Sequence, residues 1–143
     1  MQRREFLAGA CRICLLGAAG ASVIDLSSCS PSAGQNVMKT EVVDNKIAVP
    51  LTSFDAKPFQ IITAKKYPYE IAVQKKEDGS YDALLLKCTH YENQLLPTGN
   101  GYTCNFHGSK FDKDGKVLKG PASVPLTHLK TSQTTSDIFI HLI

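Results

Sequence analysis

Apolar residues along this chain follow two regimes. Near the N-terminus they form one unbroken run of 12 residues, Ile13 to Ile24. From about Met38 they come in short stretches of strand length, separated by turn-forming residues. "NKIAVPL" and "FQIITA" are two such stretches. The clearest unit is "YEIAVQKKEDGSYDALLLK", in which Tyr69, Ile71 and Val73 alternate with Glu70, Ala72 and Gln74. "KEDGS", with Asp78-Gly79 inside it, supplies a turn, so this unit predicts a hairpin. The C-terminus repeats the idea: "SVPLTHLKT", then "SQTTS", then "DIFIHLI", with Ile138, Ile140 and Leu142 on one face. Outside the N-terminal run no long segment repeats at helical spacing. The pattern predicts an all-β fold, a sandwich or barrel of small antiparallel sheets.

The N-terminal run reads as an address. A basic start, an apolar middle and small residues before Cys29 are the layout of a bacterial export signal. Twelve apolar residues fall short of the about 20 that span a bilayer. "QRREFL" resembles a twin-arginine signal and "LSSC" a lipoprotein processing box, which makes Cys29 the lipidation candidate. Residues 1–28 are then a cleaved signal, residues 29–38 a Ser/Gly/Pro-rich tether, and residues 39–143 the folded domain. This places the domain outside the bacterial inner membrane: periplasmic, held at a membrane surface, or an outer-membrane lipoprotein. Twin-arginine export carries folded proteins, so it also anticipates a cofactor. Cys11 and Cys14 form a C-x-x-C, which inside a signal reads as small apolar filler.

Charge changes the picture little. The chain has 143 residues and a net charge of +3, with 43% hydrophobic residues. That is enough for one core and too little positive charge for a nucleic-acid face. All three arginines, Arg3, Arg4 and Arg12, lie in the signal. From Cys29 onward thirteen lysines face eleven acidic residues. Only Cys88 and Cys104 remain for the body of the domain, too few for a disulfide-stapled fold. A single Cys88–Cys104 bridge leaves the nearby histidines without a role.

Those histidines define the candidate chemistry. Cys88-Thr89-His90 is followed, with thirteen residues between His90 and Cys104, by Cys104-Asn105-Phe106-His107. Two thiolates and two imidazoles on two loops suit tetrahedral Zn²⁺, or a [2Fe–2S] cluster with two Cys on one iron and two His on the other. A set of structural residues with no metal is the third reading. Common zinc fingers pair like with like. Here each half-site is mixed, which favours the binuclear cluster.

The surrounding residues extend the pattern. "CTH" and "CNFHGS", followed by "FDKDGKVLKGPASVPL", resemble the two boxes and the tail of the Rieske iron–sulfur family. The resemblance covers about Leu85 to Leu126 closely, with cluster loops at about residues 86–112. It implies a Rieske-type β sandwich in which Cys88 and Cys104 bind one iron and His90 and His107 the other. It also implies a one-electron carrier rather than an enzyme, with no small-molecule substrate and a redox protein or a larger membrane-associated oxidoreductase as partner. A Rieske subunit of a quinol-oxidising complex is the alternative, and a zinc-binding lipoprotein the third.

The resemblance also bears on the reduction potential. Two neutral ligands leave the cluster less negative than four thiolates do, so an electron is added more easily, at roughly −150 to +300 mV against about −400 mV. In the cytochrome bc branch each loop carries an extra cysteine and the two form a disulfide; the matching positions here are Asn93 and Phe106. That branch has a serine bonding a bridging sulfide, matched by Ser109, and a tyrosine bonding a ligand sulfur, replaced here by Phe111. One of two hydrogen-bond donors is kept, which implies an intermediate potential. Gly108 is expected to permit close backbone approach to the cluster. His90 and His107 are expected at the surface, and His128 and His141 to be ordinary strand residues. Lys110, Lys113, Lys116 and Lys119 read as a solvated loop or as a docking patch for an acidic partner.

Overall fold

A computed structural model describes residues 37–143. The signal, the C-x-x-C, Cys29 and nearly all of the expected tether lie outside the described residues. Apart from one 3-10 turn, Leu51–Phe54, the described elements are strands. In chain order they are β1 (Val37–Val43), β2 (Lys46–Pro50), β3 (Phe59–Lys65), β4 (Ile71–Lys75), β5 (Tyr81–Leu85) and β6 (Leu96–Thr98). Then come β7 (Gly101–Thr103), β8 (Lys110–Phe111), β9 (Val117–Lys119), β10 (His128–Leu129), β11 (Thr131–Gln133) and β12 (Asp137–His141).

Eight strands form one large sheet in the order β10-β5-β4-β3-β1-β2-β12-β11. Its two ends are the same stretch of chain. β10 pairs with β5, and β11, one residue further on, pairs with β12. The Thr131 hydroxyl donates to Tyr81 O at 3.0 Å across the seam. The sheet therefore wraps around an interior core of Ile47, Val49, Ile62, Ile71, Val73, Ile138 and Ile140. The expected all-β fold holds, with two differences of detail from small antiparallel sheets. One sheet is large, and β1 runs parallel to β3, Val37 opposite Ile61 through Glu41 opposite Lys65. The cause is the route of the chain: after β2 it returns through the 3-10 turn to the other side of β1. β1 also takes in Val37 and Met38, which composition assigns to the tether.

The predicted hairpin is β4–β5, with Val73 opposite Ala83. Its turn closes through the Gly79 amide donating to Lys76 O at 3.0 Å and the Ser80 hydroxyl donating to Asp78 Oδ1 at 2.6 Å. The expected alternation does not hold on β4, because Ala72 is buried with Ile71 and Val73. The reason is a second core on the other face of this sheet: Ile61, Ala72, Leu84, Leu86, Cys88, Leu95, Tyr102, Cys104, Phe111, Ala122 and Leu126. A strand covered on both faces loses its polar face.

The second core lies beneath a four-stranded sheet, β6-β7-β8-β9. Gly101 begins β7 at φ +146, and a Cβ there would lie 2.1 Å from Phe111 O. Glycine is required at that point by the approach of two backbones. Tyr102, next along, is 4% exposed. Burial pushes its phenol up to about 12, and the nearby carboxylates of Asp82, Asp114 and Asp112 add to the effect.

An unfolded tyrosine ionises near pH 10, so between about pH 10 and 12 the unfolded chain releases a proton that the folded chain keeps. Stability falls as pH rises through that window. Denaturant melts at pH 9 and pH 11 should show this decline in the wild type and a smaller one in Tyr102→Phe.

Candidate metal centre

Two loops carry the four predicted ligands, and each is built on the same hydrogen bonds. The first joins β5 to β6. Its base is closed by the Leu95 amide donating to Leu86 O at 2.9 Å and by an isolated bridge between Lys87 and Gln94. Inside it the Cys88 amide donates to Asn93 O at 2.8 Å and the Glu92 amide to Cys88 O at 2.9 Å. The second loop joins β7 to β8. There the Cys104 amide donates to Ser109 O and the Gly108 amide to Cys104 O, both at 2.9 Å. In both loops the cysteine carbonyl accepts from four residues on, and the cysteine amide donates to the carbonyl five residues on.

The shared turn needs a left-handed residue at the fourth position. Gly108 fills it at φ +79 and Glu92 at φ +54. An added Cβ at Gly108 meets no protein atom within 4 Å, so the backbone angle, rather than crowding by the protein, selects glycine there. Glu92 tolerates its angle while its carboxylate pairs with Lys87 Nζ at 2.5 Å.

These turns sort the donor atoms by depth. Cys88 and Cys104 are 1% and 2% exposed, and both thiols are free. His90 and His107 are exposed, as expected. Their rings meet edge-on, with centroids 4.9 Å apart, and the two Nδ1 atoms are 3.1 Å apart. Among the described residues no three His, Cys, Asp or Glu side chains converge as ligands of a single metal ion would. Two soft sulfur donors lie buried, with two imidazole nitrogens facing each other on the exposed side. The set fits a binuclear centre with unlike ends better than one tetrahedral ion.

A third segment braces both loops. The Ala122 amide donates to Ser109 Oγ at 3.0 Å, and Thr89 Oγ1 donates to Val124 O at 2.8 Å. Ser109 is wholly buried. Its oxygen is engaged as an acceptor, and among the described residues its own proton has no acceptor. The hydroxyl proton is therefore free for a group held between the loops. Phe111 is 1% exposed, opposite Tyr102 in the same core as both cysteines. Asn93 and Phe106 hold no thiol, so no disulfide joins the loops there. His128 and His141 stand elsewhere, with ring nitrogens at 2.7 Å from Asp82 Oδ1 and 2.9 Å from Ser132 Oγ. Lys110 and Lys119 are cross-strand partners, and all four lysines of that region are exposed.

Sequence reasoning missed the braces. Thr89, Ala122 and Val124 act through backbone groups or one hydroxyl, and only the "GPAS" run hinted at them. It also missed Gln94, whose Oε1 accepts from the Glu70 amide at 3.0 Å and whose Nε2 donates to Leu95 O at 2.8 Å, tying the first loop to the start of β4.

The sequence pattern of the Rieske [2Fe-2S] domain family matches residues 34–131. This chain is a member of the Rieske family. The cofactor of the domain is accordingly a Rieske-type [2Fe–2S] cluster. Cytochrome b6-f complex iron-sulfur subunit 1 of Synechocystis sp. is 29% identical, over 97% of this chain and 82% of its own length. The large oxygenase component of the naphthalene 1,2-dioxygenase system of Ralstonia sp. is 31% identical over 61% of this chain. The chain spans only 20% of that component. Among solved structures, the cyanobacterial plasma membrane Rieske protein PetC3 from Synechocystis superposes with a TM-score of 0.50 at 26% identity, covering 64% of this chain and 93% of the other. A naphthalene 1,2-dioxygenase with indole bound, at TM-score 0.53 and 22% identity over 69% of this chain and 26% of the other, shares the fold.

Two substitutions test the polar surroundings of this Rieske site. Ser109→Ala leaves the Ala122 amide unpaired in the interior, at a cost of about 1–3 kcal/mol in a denaturant melt. On the reading that Ser109 donates a proton toward the cluster, the voltammetric potential should fall as well. An unchanged potential would refute the donor role. Phe111→Tyr raises the potential with little loss of stability where its hydroxyl meets a sulfur. A hydroxyl left unpaired would instead lower stability by about 1–3 kcal/mol and leave the potential alone.

Proposed function

We propose that this Rieske protein is a one-electron carrier, exported and tethered at a membrane surface through a lipid on Cys29. Cys88 and Cys104 would hold one iron and His90 and His107 the other. The observation that carries the reading is the arrangement of donors, with both cysteines buried and both imidazoles exposed and adjoining. The bound cluster supplies reversible uptake of one electron. The chain keeps water from the sulfur side, offers the Ser109 proton to that side, and presents the imidazole edge to a partner. Neutral imidazole ligands and the retained serine point to an intermediate potential.

Export and tethering rest on the residue pattern of the first 29 positions. A membrane-associated setting is also supported by the relatives, one of which is a plasma membrane Rieske protein and another a subunit of a cytochrome complex. The partner is then a redox protein or a larger oxidoreductase. A second reading, a permanent Rieske subunit of such a complex, is favoured by the match to the cytochrome b6-f subunit along 97% of this chain.

The purified protein should be red-brown, contain iron and acid-labile sulfide in equal amounts, and give a Rieske-type EPR signal when reduced. Cys88→Ser and Cys104→Ser should abolish the signal. A colourless protein that retains zinc would overturn the proposal in favour of a structural zinc site. Detergent extracts of membranes separate the two redox readings: a carrier migrates alone, a subunit with its complex.

A further inference from the structure

The two ligand loops have few direct ties. Each is closed on itself by its own backbone hydrogen bonds, and each is braced by the 122–124 segment. Among the described residues the one hydrogen-bond contact directly from loop to loop joins His90 Nδ1 and His107 Nδ1. The proposed ligation engages both of these imidazoles, so once they bind metal that contact no longer has to hold the loops together. What remains across the gap is aromatic. Tyr91 and Phe106 stack with ring centroids 6.3 Å apart and an interplanar angle of 26°. Phe106 packs edge-on against His107 at 4.4 Å, and Tyr91 stands 6.1 Å from His107 and 6.2 Å from His90. The sequence mirrors this: each aromatic residue is the immediate neighbour of a histidine, after His90 in one loop and before His107 in the other.

Both rings are largely exposed, Tyr91 at 67% and Phe106 at 63%. A solvated aromatic side chain ordinarily has no reason to be ordered. Besides the histidine next to it, each gains a ring partner by spanning from one loop to the other, within the separation at which rings attract. We propose that Tyr91 and Phe106 form a non-covalent clasp that holds the ligand loops closed. They are positioning residues: they act on the cluster through the histidines beside them. The inference rests on the ligand assignment above.

The test uses the full chain with its cluster bound. Tyr91→Ala, Phe106→Ala and the double variant are compared with the conservative Tyr91→Phe and with Val43→Ala, which removes an exposed apolar side chain on β1. Three quantities are read: bleaching of the visible absorbance under a chelator, reduction potential, and hydrogen exchange at the Glu92 and Gly108 amides. Each alanine variant should lose its cluster about fivefold faster, the size expected from losing one ring pair. The double variant should be little worse than either single, because all three lose the same contact. The potential should shift, since His107 loses the ring packed edge-on against it or the partner that holds that ring. Exchange at both amides should quicken, while Tyr91→Phe and Val43→Ala behave as wild type.

Unchanged bleaching in the single variants would overturn the clasp, as would a double variant whose effect is the product of the singles. A wild type that assembles no cluster would defeat the ligand assignment instead. The exchange measurement then decides the clasp by itself: unchanged exchange at Glu92 and Gly108 overturns it.

Discussion

The site depends on one local constraint, the pair of backbone hydrogen bonds that folds each ligand loop back on its cysteine. The Cys88 and Cys104 carbonyls each accept from the amide four residues on, and their amides each donate to the carbonyl five residues on. This pins the cysteine at the mouth of the loop, next to the strand that leads into it, and therefore in the core. The histidine, two or three residues later, is carried to the outer rim. Deep sulfur and shallow nitrogen thus follow from backbone geometry before any metal is present. The constraint also explains the left-handed residue in each loop. Glycine takes that angle freely at position 108, whereas at position 92 a glutamate takes it with an ion pair to Lys87.

The large sheet gives these loops a fixed base. It is covered on both faces in the region of β3, β4 and β5, with Ile62, Ile71 and Val73 on one side and Ile61, Ala72 and Leu84 on the other. Both cysteines belong to the second of these cores. The metal centre and the packing of the domain consequently share side chains, and Leu86, Leu95 and Phe111 serve both. Dry surroundings on the sulfur side come from that sharing. A free thiol there packs as a small apolar residue, so the fold does not have to place a charge in its interior until ligands and cluster come together.

Much of this was legible in the sequence, for reasons that can be named. The β4–β5 hairpin was visible because Asp78-Gly79 is a turn signal and its strands are apolar. The last strand was visible because Ile138, Ile140 and Leu142 line a single buried face. The ligand boxes were visible because few residue types bind metals and their spacing is distinctive. What stayed hidden depends on tertiary context. The parallel pairing of β1 with β3 leaves no periodic mark. The two-residue turn at Asp44-Asn45, with φ of 49 and 58, uses residues that serve equally well in loops. Ala72 looked like a polar-face position until a second core was found above it. The braces from Ala122 and Val124 work through backbone groups, which every residue has.

Ser109 shows how function and fold meet in one atom. A hydroxyl with 0% exposure is costly unless its bonding is satisfied. The Ala122 amide meets half of that need and simultaneously fixes the third segment against the second loop. Because the oxygen accepts from the amide, the hydroxyl proton stays available to another acceptor. On the proposed reading the cluster is the acceptor that completes the set, and a charge-assisted bond of this kind is stronger than a neutral one. The hydrogen bond that braces the fold therefore also leaves free the proton that, on the proposed reading, favours the reduced cluster. No substitution at position 109 can alter the second role while leaving the first untouched unless it keeps the hydroxyl. Threonine keeps it, yet must fit an extra methyl where serine already has no exposure, so the packing around residue 109 restricts the site to serine as strongly as its chemistry does.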